Sequence, residues 1–184
     1  MFSRSIAFAL LVVVPTLANA AGVYWTDRGT NHLKRMNFDG SGLQTITLGG
    51  AVTSPGTNIR GIAVDNVSNR IFWADNGADR LLRANFDGSA STILYTVGGG
   101  NSFPADVRLD LGNSFFYWCD QTRYRIQRST LDGAAVIDVI TNAVPTGPYF
   151  MDLDVPAGKK STGATSAAAP SSARTSMVRG EKHC

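Results

Sequence analysis

One aromatic motif recurs three times along this chain, and no other feature narrows its fold as much. Val23-Tyr24-Trp25-Thr26-Asp27, Ile71-Phe72-Trp73-Ala74-Asp75 and Phe116-Tyr117-Trp118-Cys119-Asp120 hold all three tryptophans, which stand 48 and 45 residues apart. A period of that length belongs to propellers and solenoids. The copies stay in register downstream: Leu33, Leu81 or Ile126 comes first, Arg35, Arg83 or Arg128 two residues later, then Phe38, Phe86 or Leu131 followed by Asp-Gly. Upstream, Gly61-Ile62-Ala63-Val64-Asp65 aligns with Asp106-Val107-Arg108-Leu109-Asp110 and, more loosely, with Phe150-Met151-Asp152-Leu153-Asp154.

Each full unit therefore reads as four short strands, which in the middle copy are Ile59–Asp65, Ile71–Asp75, Arg80–Phe86 and Thr92–Tyr95. Asp39-Gly40, Asp87-Gly88 and Asp132-Gly133 suit tight hairpins, because glycine reaches positive φ without steric cost. Asn66 to Asn69 and Asn76 to Asp79 are polar loops of hairpin length. The aromatic strand is apolar on both alternating faces, whereas a half-exposed strand alternates with polar residues. Burial on both faces is what a sheet between two neighbouring sheets requires, as in blades packed around an axis. The glycine-marked hairpins and short apolar runs exclude a helical solenoid.

These residues resemble the low-density lipoprotein receptor class B, or YWTD, repeat, over roughly residues 22–155. The resemblance rests on Tyr24-Trp25-Thr26-Asp27, on Phe72-Trp73-Ala74-Asp75 and Tyr117-Trp118-Cys119-Asp120, on the strand ending at Asp65 and on the Asp-Gly turns. It implies a six-bladed propeller that binds proteins outside the cell. Three repeats make half of such a ring, and where the next tetrad is due the chain reads Gly163-Ala164-Thr165-Ser166. The first copy lacks its opening strand while Tyr149–Asp154 supplies one strand without successors, so the strands sum to three blades of four. Two readings follow: a homodimer completing one six-bladed ring by exchanging that strand, or a shortened version of a longer six-bladed protein.

The expected fold is thus all-β, a partial three-blade propeller of four-stranded antiparallel blades. Residues 21–155 form this region. Residues 1–20 read as a signal peptide, with Arg4, an apolar run from Ile6 to Val14 and Ala18-Asn19-Ala20 before the cleavage point. That run is too short to span a bilayer, and no membrane contact is indicated. Residues 156–184, rich in Ala, Ser and Thr, read as a disordered basic tail. The formal charge of +3 comes from the two ends. Between 21 and 155, eleven Lys or Arg face thirteen Asp or Glu, which leaves no basic stripe for nucleic acid. Cys119, inside an aromatic strand, reads as a small buried apolar side chain, and a bridge to Cys184 is not expected.

Catalysis needs groups that move protons or hold metal. The repeat region has one histidine, His32, and no zinc-type spacing, nucleophile elbow or phosphate loop. Asp65, Asp110 and Asp154, like Asp27, Asp75 and Asp120, recur at strand ends, where Asp commonly accepts hydrogen bonds from turn backbone. A ring of calcium ligands is the competing reading. Tyr24, Trp25, Asp27, Arg35, Phe72, Trp73, Asp75, Arg83, Tyr117, Trp118, Asp120 and Arg128 form the structural repeat, with each arginine expected to pair with the Asp eight residues before it. Arg80, Arg123, Tyr124 and Arg125, near the loops after the tetrad, are candidate ligand-binding residues. No catalytic residue, metal site or cofactor is expected. The reading is a secreted or periplasmic, non-enzymatic module that binds another protein or an extracellular polymer. The alternative is a hydrolase- or lactonase-like propeller enzyme with an axial divalent metal.

Overall fold

The computed structural model of the chain describes residues 21–98, 102–141 and 147–155, together with the backbone of Ser161–Thr162. The expected leader and almost all of the expected tail lie outside the described residues.

Three antiparallel sheets form. The first holds β1 (Gly22–Asp27), β2 (His32–Asn37) and β3 (Gln44–Thr45). The second holds β4 (Ile59–Asp65), β5 (Arg70–Asp75), β6 (Arg80–Asn85) and β7 (Thr92–Thr96) in sequential order. The third runs β8 (Pro104–Asp110), β9 (Phe115–Asp120), β10 (Arg125–Thr130) and β11 (Ile137–Ile140), with β12 (Ser161–Thr162) along the outer edge of β8. The sheets thus have three, four and five strands instead of four each.

Turn chemistry explains the hairpins. Gly40, Gly88 and Gly133 adopt φ of 83°, 85° and 88°. A Cβ on Gly88 would collide with the Thr47 carbonyl, and one on Gly133 with that of Leu94, so these two Asp-Gly turns also nest against the preceding blade, whereas a Cβ on Gly40 would meet nothing. Each four-residue loop that joins β1 to β2, β4 to β5, β5 to β6, β8 to β9 and β9 to β10 puts its last residue in the left-handed region: Asn31, Asn69, Asp79, Ser114 and Tyr124, with φ of 52–60°. Asn and Asp tolerate that conformation; a tyrosine does so at a cost.

The period-two alternation decides how the sheets stack. Trp73 and Ile71 point from β5 toward the first sheet, into a core with Leu33, Ile46, Ile59 and Leu82. Phe72 and Ala74 point the other way, into a core with Val107, Leu109, Phe116 and Trp118. The middle sheet is thereby buried on both faces, as its sequence requires. In the second and third sheets the tetrad tryptophan faces the preceding blade, and in the first and second the aromatic before it faces the following one. Among the described residues no blade precedes the first, so burial on both faces fails there: Trp25 is partly exposed and Val23 is 37% exposed. At the axis β4 and β8 approach so closely that a Cβ on Gly61 would stand 2.6 Å from Asp106 Cα and 2.8 Å from Val107 N.

Two expectations need correction. Tyr149–Asp154 joins no sheet. Its Met151 N–H donates to Asp106 Oδ2 at 3.1 Å, so the segment lies along β8 without a ladder partner, because no sheet stands behind it. The repeat arginines do not pair with the tetrad carboxylates either. A four-residue loop sets each tetrad Asp opposite the residue five later: Asp75 opposite Arg80 and Asp120 opposite Arg125. The ion pairs follow that register, Arg80–Asp75 at 2.7 Å and Arg125–Asp120 at 3.1 Å, while Asp27 takes Lys34 at 2.6 Å. Arg35, Arg83 and Arg128 instead lie opposite Tyr24, Phe72 and Tyr117. From there Arg83 reaches across to the next blade, donating to the Leu131 carbonyl at 3.0 Å. The repeated arginine of the middle blade is an inter-blade tie.

Candidate interaction site

Five of the six strand-end carboxylates accept hydrogen bonds from turn or neighbouring loop groups. Asp65 Oδ1 accepts from the Val67 and Ser68 N–H groups, both at 3.0 Å, and its Oδ2 from Arg70. Asp110 accepts from Asn113 through backbone and side chain. Asp75, fully buried, accepts from Thr57 N, Gly77 N and Arg80; Asp120 accepts from Ser102 Oγ, Phe103 N and Arg125. Four of the six thus cap turns or loop ends, and the Thr30 N–H donates to Asp27 in the same way. Hydrogen bonds from Lys34 and Thr30 hold the Asp27 carboxyl down at about 2. Among the described residues no three His, Cys, Asp or Glu side chains converge as a metal site would need.

Cys119 is fully buried and, among the described residues, unpaired, and burial pushes its thiol up to about 12 from 9.0. The fold favours the neutral thiol, so this contribution to stability is complete below the unfolded value and is lost as pH rises from 9 toward 12. A thiol reagent at pH 8 is expected to leave Cys119 untouched in the native protein and to modify it once the chain unfolds. Prompt native-state labelling of Cys119, located by peptide mapping, would contradict its burial.

One rim gathers several aromatic and guanidinium side chains. There the β5–β6 and β9–β10 loops touch the starts of β4 and β8: Asn76 N donates to Asn58 O at 3.1 Å and Gln121 N to Phe103 O at 3.0 Å. Phe103 meets the Tyr149 ring at 5.9 Å. Arg60 lies over Phe103 with its guanidinium 5.0 Å from the ring centre, and its Nη1 donates to the Tyr149 hydroxyl at 2.6 Å. Beside them opens a cleft of about 310 Å³ whose lining includes Trp25, Arg28, Arg60, Ile62, Tyr149 and Phe150. Its walls carry aromatic rings and guanidinium groups but no carboxylate, imidazole or thiol. Phe150 is 76% exposed. Burial pushes up the carboxyl of Asp106, which stands next to this cleft, against the pull of the Met151 N–H and Arg108.

The four residues singled out in the sequence fall into two groups. Arg80 and Arg125 are held by Asp75 and Asp120, Arg125 also standing 3.6 Å from Asp138, so both serve the sheets. Arg123 and Tyr124 sit on the β9–β10 loop of the same rim. Tyr124 is 44% exposed and adopts φ of 54°, where equivalent loops use Asn or Asp. Arg28, Arg60, Phe103, Tyr149 and Phe150 were not singled out. No spacing announces them: Arg60 and Tyr149 are 89 residues apart and meet only because the blades stack. His32 begins β2 and is exposed.

These stacked antiparallel sheets are blades of a β-propeller. No protein-family model and no curated protein matches the sequence. Among solved structures, the chain is similar to one in a crystal structure of the nidogen/laminin complex, with 27% identity and a TM-score of 0.60 over 69% of this chain and 46% of that one. It is also similar to a streptogramin B lyase, at 19% identity and a TM-score of 0.51 over 65% of this chain and 37% of the lyase. This chain spans less than half of the length of either.

Proposed function

We propose that this chain is an exported, non-enzymatic YWTD-type propeller module that binds another protein or an extracellular polymer through the rim carrying Tyr124, Arg123 and the Arg60–Tyr149 cluster. The observation that carries the reading is Tyr124. An aromatic side chain held exposed in a left-handed conformation costs about 1 kcal/mol or more of backbone strain, and such outliers concentrate where function needs them. An exposed tyrosine and, on the same rim, a cleft lined by aromatic rings and guanidinium groups offer the kinds of side chain that dominate protein interfaces. The nidogen/laminin structure, itself a complex between proteins, is in keeping with this reading. Export rests on the leader-like first twenty residues, and the mature chain is expected to start at Ala21.

The test compares the mature chain with an Arg123→Ala, Tyr124→Asn variant as immobilised baits for the proteins and polysaccharides of the extracellular fraction. Asparagine suits the left-handed position, so the variant is expected to melt no lower than the parent while losing the partner that the parent retains. An unchanged set of bound molecules, or turnover of a lactone by the parent chain, would overturn the proposal.

A further inference from the structure

The two ends of the blade stack are chemically complementary. At the leading end, the first sheet shows the face that elsewhere meets a preceding blade, with Val23 and Trp25 on it; Phe38, which follows β2 and is 75% exposed, lines a cleft with Tyr24 and Phe86 at the end of the same sheet. At the trailing end, the third sheet shows the face that elsewhere meets a following blade: Tyr117 and Arg128, with Ile137 and Ile140 each 45% exposed.

Both internal junctions show how such faces join. Tyr24 of the first blade stacks on Phe86 of the second, with ring centres 5.0 Å apart. Phe72 of the second blade shares a core with Leu131 of the third, and Arg83 donates to the Leu131 carbonyl. Phe86 and Leu131 hold the repeat position of Phe38. Tyr117 and Arg128 therefore lack the residue that Phe38 would be, and Phe38 lacks the aromatic that Tyr117 would be. Arg128 turns back instead onto the Phe115 ring, 4.3 Å away, and the Tyr117 hydroxyl, and its buried Nε has no partner.

The backbone is incomplete at the same two places. β1 has no opening strand on its inner edge, since the first sheet runs only β1-β2-β3. Residues 147–155 lie along β8 with Met151 bonded to Asp106, the repeat equivalent of Gly61, just as β8 lies along β4 with Asp106 against Gly61. They occupy the place of an opening strand whose sheet is absent among the described residues.

We infer that a second copy of this chain supplies both missing halves: residues 149–154 pair with β1 of the partner, and the Tyr117–Arg128 face closes on the partner's Trp25–Phe38 face. The register of β4 with β5 and of β8 with β9 sets Leu153 opposite the partner's Val23 and Met151 opposite the partner's Trp25. Arg128 then reaches the carbonyl of the partner's Phe38, as Arg83 reaches Leu131. Each copy gives one strand and receives one, so both open faces close. Two copies make six blades, within the four to eight that propellers use, whereas three copies would make nine. The inference shares Trp25, Tyr149 and Phe150 with the cleft of the ligand-binding reading but does not depend on it, and its test uses neither Arg123 nor Tyr124, so the two can fail separately.

The mature chain is examined by size-exclusion chromatography with light scattering across a dilution series. The expected result is twice the chain mass, with Phe38→Asp weakening self-association about a hundredfold, since it removes an aromatic contact from both junctions. Because Phe38 is exposed in the single chain, the variant is expected to keep its circular dichroism. In a Cys184→Ser background, mixing Val23→Cys and Leu153→Cys chains is expected to give a disulfide that joins one of each. A monomeric parent chain at micromolar concentration, a trimeric mass, or a Phe38→Asp protein that self-associates like the parent would overturn the inference.

Discussion

Replacing Asp75 with alanine is expected to lower the melting temperature by about 10 °C, whereas Asp79→Ala, four residues along the same loop, is expected to leave it within about 2 °C. Asp75 is fully buried and satisfies two backbone N–H groups, those of Thr57 and Gly77, besides the Arg80 guanidinium. Alanine there orphans two donors and strands a cation, which together cost on the order of 3 kcal/mol. Asp79 is partly exposed; burial pushes its carboxyl up, and the charges of Asp120 and Asp75 push the same way. Its removal relieves repulsion as well as deleting a contact. Thermal denaturation of the two variants side by side settles the point, and equal small shifts would show that Asp75 does not pin its loop.

The second large effect is expected at Trp73. Its indole is fully buried between the first and second sheets, and its Nε1–H donates to the Pro55 carbonyl at 2.8 Å. Trp73→Ala removes the largest side chain of that junction and leaves a cavity that the flanking sheets cannot fill, at a cost of about 3–5 kcal/mol. Such a loss is a large part of the stability of a single domain. Trp73→Phe keeps most of the ring and gives up the hydrogen bond, so about 1–2 kcal/mol is expected. Urea denaturation measures both. A Trp73→Ala variant within about 1 kcal/mol of the parent would mean that the indole is not wedged between blades.

The fold was legible because a repeat is read against itself. The strands expected at Ile59–Asp65, Ile71–Asp75, Arg80–Phe86 and Thr92–Tyr95 each lie within one residue of β4 to β7 at both ends. Partnership across a hairpin was less legible. A constant spacing of eight between Asp and Arg looks like an ion pair, yet a four-residue loop puts residue eight opposite the aromatic three before the Asp. Loop length and strand pairing, not spacing, choose the neighbour. Tyr149–Asp154 has the pattern of an opening strand, but a pattern yields a strand only where a second backbone supplies the ladder. The rim surface proposed for binding combines residues of both kinds. Arg123 and Tyr124 stand out in the sequence because they lie in the loop after a tetrad, whereas Arg60, Phe103 and Tyr149 come from separate segments and converge only through blade stacking.

The most direct test of blade stacking is the fluorescence of a Trp25→Phe variant, whose only indoles are Trp73 and Trp118. Both are fully buried in this architecture, at opposite faces of the middle blade. The expected spectrum is that of indole in an apolar medium, unaffected by iodide until the chain unfolds cooperatively. Emission characteristic of water-bathed indole, or efficient iodide quenching of the native protein, would mean that the three sheets do not close on one another.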